Sequence, residues 1–316
     1  MPELPEVETF ARLLRGPLIG KIISDVKCTW PRHIDRPDLA EMQRRLKDRA
    51  ICTVGRRGKY LVFGLDDEQS LIVHLKMTGH LSVVPATDPA DDHVHTVFSL
   101  SDGNELRFRD ARKFGRIYLV EDAQEILGKL GPEPLSASLT EHAFQAMLQN
   151  RKRILKPLLL DQSFIAGIGN IYADEALWRA QLHPLRSIQT LNAAQERRLY
   201  AAIRGVLGEA IARRGSSVDD YTAPEGDGEM QEHLDVYQRT GQPCHRCGRP
   251  IRRLVLAQRG THFCSWCQRL PGVDRTGTTA AMAASAVRTR QSTARTYGSR
   301  SRGRDWSELG GPDSAD

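Results

Sequence analysis

Four cysteines in the last third of the chain constrain its fold more than any other feature. Cys244 and Cys247 form one C-x2-C pair, and Cys264 and Cys267 form a second pair sixteen residues further on. This spacing is typical of a zinc ion bound by four thiolates, a structural site in which no coordination position remains for water. Disulfides are disfavoured because the N-terminus lacks the basic and apolar regions of a secretory signal. We therefore predict one structural Zn2+.

The segment between the two cysteine pairs predicts a β-hairpin held together by this metal. RRLVLAQRGTHF contains two strand-like runs around a Gln-Arg-Gly turn. Arg259 would lie near the tip, where its rigid guanidinium suits contact with a phosphate. We assign residues 238–270 to this zinc hairpin.

Residues 1–125 predict a β-rich domain that begins with a helix. Apolar side chains recur at helical spacing over Val7–Leu14, and Gly16-Pro17 is expected to end the helix. Five strand-like runs follow, to about Val120. Turn residues separate them at the intervals expected of an antiparallel sandwich or barrel.

A linker at 126–137 and a helical region at 138–237 come next. LGKLGPEPLSAS contains two prolines and small polar residues, which are typical of a linker. Beyond it the apolar residues recur with helical period. The four predicted helices are TEHAFQAMLQN, ILKPLLLD, NIYADEALWRAQL and NAAQERRLYAAIRGVLGEAIARR. The long polar loop YTAPEGDGEMQEH follows, and a loop of this length usually indicates function or mobility.

Charge and composition are compatible with a nucleic-acid partner without requiring one. The formal net charge is +6 and the pI is about 9.1. Residues 271–316 are rich in Ser, Thr, Gly, Ala and Arg, so we predict a disordered basic tail. Its arginines could contact phosphates, although a solubilising tail is the simpler interpretation. No apolar run approaches the length of a membrane span, and we expect a soluble, cytoplasmic protein.

The first residues, MPELPEVET, admit two interpretations. Proline in a first helical turn and glutamates near the positive end of the helix dipole would simply start a helix. Alternatively, removal of Met1 would leave a free secondary amine at Pro2 beside the carboxylate of Glu3, placing two reagents together. Taken alone, these residues favour the helix start.

Three further segments combine glycines with cations or with a helix N-terminus. Gly55–Lys59 places two glycines around three cations, which suggests a close backbone approach to something anionic. Ile168–Asn170 directly precedes a helix, where a phosphate could reach the helix N-terminus. Arg109–Gly115 predicts a cationic turn with an exposed Phe114, and Met77 is similarly placed after a strand. These two side chains could pack in the core, or they could fill the space left when a nucleotide swings out of a duplex.

In their order along the chain, these motifs resemble those of formamidopyrimidine-DNA glycosylases, a family of bacterial base-excision-repair enzymes. The motifs are PELPEVE, RRGKYL, HLKMTG, DARKFG, LGPEPL, GIGNIYADE and AQRGTHFCSWC, and they cover about residues 1–270. The resemblance implies an α+β multidomain fold. Its parts are an N-terminal β-sandwich with an N-terminal helix, a helical helix–two-turn–helix domain and a zinc-ribbon β-hairpin. The implied activity is removal of oxidised purines, chiefly 8-oxoguanine and formamidopyrimidines, followed by strand scission through β- and δ-elimination.

The resemblance also implies roles for individual residues. Pro2 would be the nucleophile and Glu3 its acid–base partner. Lys59 would assist elimination, while Arg259 and Asn170 would hold the lesion phosphate. Other DNA contacts would come from His74, Met77, His93, Arg112, Phe114 and Lys152, with Arg112 facing the orphaned base. An α-amino group has a reference pKa of about 8, against about 10.4 for lysine, so more of it is neutral and nucleophilic at pH 7.

Two alternatives compete with this interpretation. Endonuclease VIII-like enzymes remove oxidised pyrimidines, but their opening usually reads proline-glutamate-glycine, whereas Leu4 follows Glu3 here. A non-catalytic zinc-ribbon DNA-binding protein would leave Pro2, Glu3 and Lys59 without a purpose. The expected partner is duplex DNA with oxidised purines or abasic sites, bound by a monomer in the bacterial cytoplasm and associated with the nucleoid. Within the chain, Met230 and Gln238 stand where the family commonly has an aromatic residue and a glycine.

Overall fold

The computed structural model describes residues 1–149, 151–216, 228–276, 280–281 and 284–285. Most of the predicted polar loop and most of the predicted basic tail lie outside these ranges. None of the helices within them combines the length and the apolar character needed to cross a membrane.

The N-terminal part of the described chain contains three α-helices and nine strands. Their bounds are α1 Leu4–Leu18, β1 Ile22–Cys28, β2 Ile34–Arg36, α2 Leu39–Leu46, β3 Arg49–Arg57, β4 Tyr60–Leu65, β5 Ser70–His74, β6 Gly79–Pro85, β7 Val94–Leu100, β8 Asn104–Asp110, β9 Arg116–Val120 and α3 Gln124–Leu127. α1 runs through Pro17 and ends one residue later, because a proline in the last turn costs only one hydrogen bond. The predicted end at Gly16-Pro17 is therefore one residue too early.

The strands are hydrogen-bonded in the order β2-β9-β5-β4-β3-β1-β7-β8-β6, with every pair antiparallel except β2 and β9. β1 connects the two halves, since it pairs with β3 at one end and with β7 along most of its length. Phe63 from one half and Phe98 and Phe108 from the other share one buried core with Phe10 of α1. This arrangement confirms the predicted β-domain with its N-terminal helix.

The helical domain follows, with the bounds α4 Glu141–Leu148, α5 Leu155–Leu159, α6 Asn170–Arg179 and α7 Ala193–Ala212. Its apolar core includes Phe144, Tyr172 and Val206, and also Leu4 from the first turn of α1. Met230 is fully buried in the same core, which explains an apolar residue at that position. Because α1 contributes to both cores, the first residues of the chain lie at the junction of the two domains.

The zinc hairpin consists of β10 Arg252–Leu256 and β11 Arg259–Phe263, paired antiparallel. Ala257 and Gln258 form the two-residue turn, and both have positive φ, as hairpin turns whose twist matches that of the strands require. Arg259 follows this turn directly, which agrees with its predicted position near the tip.

Beyond the hairpin the chain remains packed for longer than predicted. Gly272–Asp274 form a 3-10 turn, and the Asp274 carboxylate is 1 % exposed. It accepts a hydrogen bond from Thr190 Oγ1 at 2.9 Å and lies 3.6 Å from Arg186 Nε. The predicted start of the disordered tail at residue 271 is therefore too early.

Candidate active site

A cavity of about 360 Å³ lies at the junction of the two domains and the hairpin. Its walls include all four residues with predicted catalytic roles, namely Pro2, Glu3, Lys59 and Arg259. Three of the predicted DNA contacts also line it, His74, Met77 and Asn170. The other four, His93, Arg112, Phe114 and Lys152, are not among its lining residues; all four side chains are solvent-exposed.

Glu3 is anchored to the N-terminus of α6. Its side chain is buried, and its carboxylate oxygens accept hydrogen bonds from the backbone N–H groups of Gly169 at 2.8 Å, Ile171 at 2.9 Å and Tyr172 at 3.3 Å. These are the unpaired donors of the first helical turn, where negative charge is favoured. A Cβ at Gly169 would lie 2.3 Å from Glu3 Cδ. The anion at this helix terminus is thus the protein's own carboxylate, and a phosphate contact of Asn170 stays a prediction.

Glu6 contacts the backbone of Glu3, and the sequence did not predict a role for it in the site. It accepts hydrogen bonds from Glu3 N at 2.8 Å, Ser216 N at 2.9 Å and the hydroxyl of Tyr172. Burial raises the pKa of Glu6, and the neighbouring Glu3 carboxylate raises it further. The i, i+3 spacing of the two glutamates is a capping-box signal that could have identified this role.

Lys59 is an amine in a buried position, 6 % exposed. Burial lowers the pKa of Lys59, and the charge of Arg259 lowers it further, against the opposing effect of Glu3 and Glu6. A lysine with a lowered pKa has more of the neutral amine that can accept a proton near neutral pH.

The glycine-containing segment before Lys59 also binds a carboxylate of the protein itself. Glu133, from the predicted linker, accepts hydrogen bonds from Gly58 N at 2.6 Å, Arg57 Nη1 at 2.9 Å and Arg56 Nη1 at 2.7 Å. The predicted close approach to an anion is therefore correct in its chemistry, but the anion is an internal glutamate. These contacts join the linker to the end of β3, next to Lys59.

The hairpin tip is attached to the helical domain by a buried ion pair. Lys156 Nζ lies 2.7 Å from Asp174 Oδ1, and neither side chain is exposed to solvent. Lys156 also donates to Gly260 O at 3.0 Å, while Asp174 Oδ2 accepts from His262 N at 2.8 Å. Asn170 Nδ2 donates to the same Gly260 oxygen at 3.1 Å. Arg259 is thereby held at the cavity by its neighbours, an arrangement that the sequence did not indicate.

His74 is a neutral group in this site. Its Nδ1 accepts a hydrogen bond from Lys76 N at 3.0 Å, and the side chain is buried. Burial, with the nearby charges of Lys76 and Lys59, lowers the pKa of His74 to about 3.

The metal centre is formed by the four predicted cysteines. Their Sγ atoms lie within 4.8 Å of one another, with Cys244 and Cys267 at 4.0 Å and Cys247 and Cys264 at 3.5 Å. A tetrahedral zinc ion with Zn–S bonds of about 2.3 Å requires sulfur separations of about 3.8 Å, so the cluster fits one structural zinc. Trp178 of α6 donates its indole N–H to Cys244 Sγ at 3.4 Å, linking the metal centre to the helical domain.

Three family models match the chain and together cover most of it. They describe the formamidopyrimidine-DNA glycosylase N-terminal domain at residues 1–117, the H2TH domain of the same enzyme at 130–222, and a zinc finger found in FPG and IleRS at 241–270.

Curated proteins and solved structures are similar over the same region. The chain is 48 % identical over 272 residues to formamidopyrimidine-DNA glycosylase of Herpetosiphon aurantiacus, covering 85 % of this chain and 100 % of the relative. The enzyme from Protochlamydia amoebophila is 46 % identical over 275 residues, with the same coverage. Among solved structures, the Lactococcus lactis enzyme bound to abasic-site DNA has a TM-score of 0.80 and 37 % identity, covering 85 % of this chain and 100 % of that one. The structure of the same enzyme bound to Fapy-dG DNA has a TM-score of 0.79 and 36 % identity, with the same coverage.

Proposed function

The chain belongs to the formamidopyrimidine-DNA glycosylase family, and from this premise we propose that it excises oxidised purines from duplex DNA through the amine of Pro2. It is a DNA glycosylase of base excision repair with abasic-site lyase activity. The observation that carries the residue assignment is the shared cavity. It brings the adjacent residues Pro2 and Glu3 together with Lys59, which is distant in sequence, around one space at the domain junction.

In the proposed reaction, removal of Met1 frees the Pro2 nitrogen. This amine attacks C1′ of the damaged nucleotide, the C1′–N bond to the base breaks, and the base leaves with a proton. The proline nitrogen loses its proton, and the C1′–O4′ bond opens as O4′ takes up a proton, which leaves an iminium between the proline nitrogen and C1′. The resulting iminium acidifies the C2′ hydrogen, and loss of that proton expels the 3′ phosphate by β-elimination. A second elimination expels the 5′ phosphate. Glu3, held by three backbone N–H groups, carries protons, and Lys59 serves as a base in the elimination steps.

DNA recognition in this proposal combines phosphate contacts with insertion into the duplex. Arg259 and Asn170 hold the phosphates of the lesion, and His74, His93 and Lys152 contact DNA elsewhere. Met77, Arg112 and Phe114 fill the space left by the extruded nucleotide. A guanidinium donates but cannot accept hydrogen bonds, so Arg112 suits the acceptor groups of cytosine better than the donor-bearing edge of adenine. The enzyme would act on the bacterial nucleoid in the cytoplasm.

The nucleophile can be tested by blocking the amine. We expect borohydride to trap the protein covalently on 8-oxoguanine duplex DNA, and the modified peptide to be the N-terminal one and not that containing Lys59. A variant with an uncleaved N-terminal extension should lose both base release and trapping. Glu3→Gln should slow base release while retaining duplex binding. Normal excision by the blocked protein would refute the role of Pro2, and thymine glycol duplexes run in parallel would reveal a preference for pyrimidines.

A further inference from the structure

Two loops carry the side chains proposed to enter the duplex. Loop 75–78 joins β5 to β6 and carries Met77, and loop 111–115 joins β8 to β9 and carries Arg112 and Phe114. We call them the wedge loops. The strands around them are neighbours, because β6 pairs with β8 and β5 pairs with β9. Both wedge loops therefore cross between the two halves of the sheet side by side.

One carboxylate at the end of β8 joins the two wedge loops. Asp110 Oδ1 accepts the hydroxyl hydrogen of Thr78, the residue after Met77, and Asp110 Oδ2 accepts from Gly115 N at 2.7 Å. Thr78 Oγ1 in turn accepts from Arg112 N at 3.1 Å. The Thr78 hydroxyl thus links the Asp110 side chain to the backbone of the residue that bears the exposed guanidinium.

The surroundings fix this carboxylate in its charged form. Asp110 and His33 are both 0 % exposed, and His33 Nε2 lies 3.5 Å from Asp110 Oδ2. Burial opposes ionisation, but the neighbouring His33 ring and the hydrogen bonds from Thr78 and Gly115 lower the pKa of Asp110 to about 2. A buried charge is stable only while its hydrogen-bond partners stay in place, so the wedge loops that supply those partners are held as well.

The C-terminal end of loop 111–115, at Gly115, is also tightly packed. A Cβ at Gly115 would lie 2.3 Å from a ring carbon of Phe108, whose side chain is fully buried in the sheet core. Between the two fixed ends, the Arg112 guanidinium lies 5.1 Å from the centre of the Phe114 ring, and this ring is 47 % exposed. The exposed side chains of Arg112 and Phe114 therefore project from a loop whose two ends are held in place.

We propose that Thr78 and Asp110 are positioning residues that hold the wedge loops in the arrangement needed to enter the duplex, so that Met77, Arg112 and Phe114 act as one preformed unit. The inference rests on the proposed function, in which these three side chains replace the extruded nucleotide. A preformed arrangement avoids the entropic cost of ordering two loops at the moment of insertion. Neither positioning residue lines the cavity that holds Pro2, so the elimination chemistry itself should not depend on them.

The test compares Thr78→Val with the conservative Thr78→Ser on two substrates. Valine preserves the shape but removes the hydroxyl, so kcat/KM on an 8-oxoguanine–cytosine duplex should fall about tenfold, as expected for a lost hydrogen bond to a charged group. Serine should restore the rate to within about twofold. Cleavage of a single-stranded abasic oligonucleotide, which has no opposite strand to enter, should be the same for all three proteins. Thr53→Val, the same change at an exposed strand position, is the matched control.

A second comparison separates positioning from general stability. In an Arg112→Ala/Phe114→Ala background only Met77 remains of the three wedge side chains, so adding Thr78→Val should cause a much smaller further loss on the duplex than in the wild type. If Thr78→Val does not fold, Asp110→Asn replaces it in the same comparisons. Normal duplex activity of the folded variant, an equal loss on the single strand, or a full additional loss in the double-alanine background would overturn the inference. A wild-type protein that releases no 8-oxoguanine would instead overturn the proposed function.

Discussion

At the scale of single residues, burial decides which groups titrate in the physiological range. His74 binds a proton in the unfolded chain with a pKa of about 6.5, but in the folded protein its pKa is lowered to about 3. Between these values the unfolded state binds more protons, so folding stability must decrease as the pH falls through this window.

We expect His74→Asn to remove this pH dependence. Asparagine can accept the Lys76 N–H through its side-chain oxygen but does not titrate. Between pH 8 and pH 5, the free energy of unfolding of the wild type should decrease by about 2 kcal/mol more than that of the variant. Urea denaturation at the two pH values measures the difference. His142→Asn, at an exposed position of α4, should follow the wild type. Parallel pH profiles for His74→Asn and the wild type would contradict a neutral His74.

Gln238 has a backbone conformation that glycine adopts more readily than other residues. Its φ is +57°, in the left-handed region that favours glycine. Glutamine is therefore accommodated here with backbone strain that glycine would not incur.

At the scale of elements, the helical domain and the zinc hairpin are joined through the Lys156–Asp174 pair. Burial lowers the pKa of Lys156, while the Asp174 carboxylate opposes that shift. Removing one partner of a buried pair leaves an uncompensated charge, which is more costly than removing the charge from both.

Lys156→Met should therefore destabilise the protein by about 3 kcal/mol, and Lys156→Met/Asp174→Asn should recover part of that loss. Asparagine still offers an oxygen to His262 N but carries no charge. Denaturant unfolding of the zinc-loaded proteins gives the two free energies, and hydrogen exchange in β11 shows whether the hairpin is released. A double variant less stable than Lys156→Met would contradict the explanation.

At the scale of the whole molecule, two glutamates hold the domains together around the cavity. Glu3 joins α1 to the helical domain, and Glu133 joins the linker to β3 and to Gly58. Burial opposes the ionisation of Glu133, but Arg56, Gly58 N and Arg57 together hold its pKa below the ordinary value. This contact therefore raises the free energy of unfolding at pH values above about 4.3, the pKa of glutamate in the unfolded chain. Its contribution is lost progressively as the pH falls below that value.

Glu133→Gln should weaken this junction. The amide keeps the shape but loses the charge-assisted bonds to Arg56 and Arg57, and we expect a loss of about 2 kcal/mol. Calorimetry should show a lower transition temperature at pH 7. Glu121→Gln, whose side chain is 85 % exposed, should change stability by no more than about 0.5 kcal/mol. Equal transition temperatures for the wild type and Glu133→Gln would show that the junction does not depend on this carboxylate.

Features that depend on short-range spacing could be predicted from the amino-acid sequence alone. The two C-x2-C pairs specified the metal centre, the change from strand to helical periodicity separated the two domains, and the residues between the cysteines specified a hairpin with Arg259 at its tip. Each of these follows from residues close together in the chain, because ligand spacing, side-chain period and turn chemistry are local properties.

The contacts between groups that are distant in the chain could not be predicted in this way. Sequence could suggest that Gly58 and Gly169 admit an anion, but the anions are Glu133 and Glu3, which lie 75 and 166 residues away along the chain. The same holds for the attachment of the hairpin tip, since Lys156 and Gly260 are 104 residues apart. The physical reason is that a buried charge must find its partner, and the identity of that partner is set by how the domains pack, which no local pattern encodes.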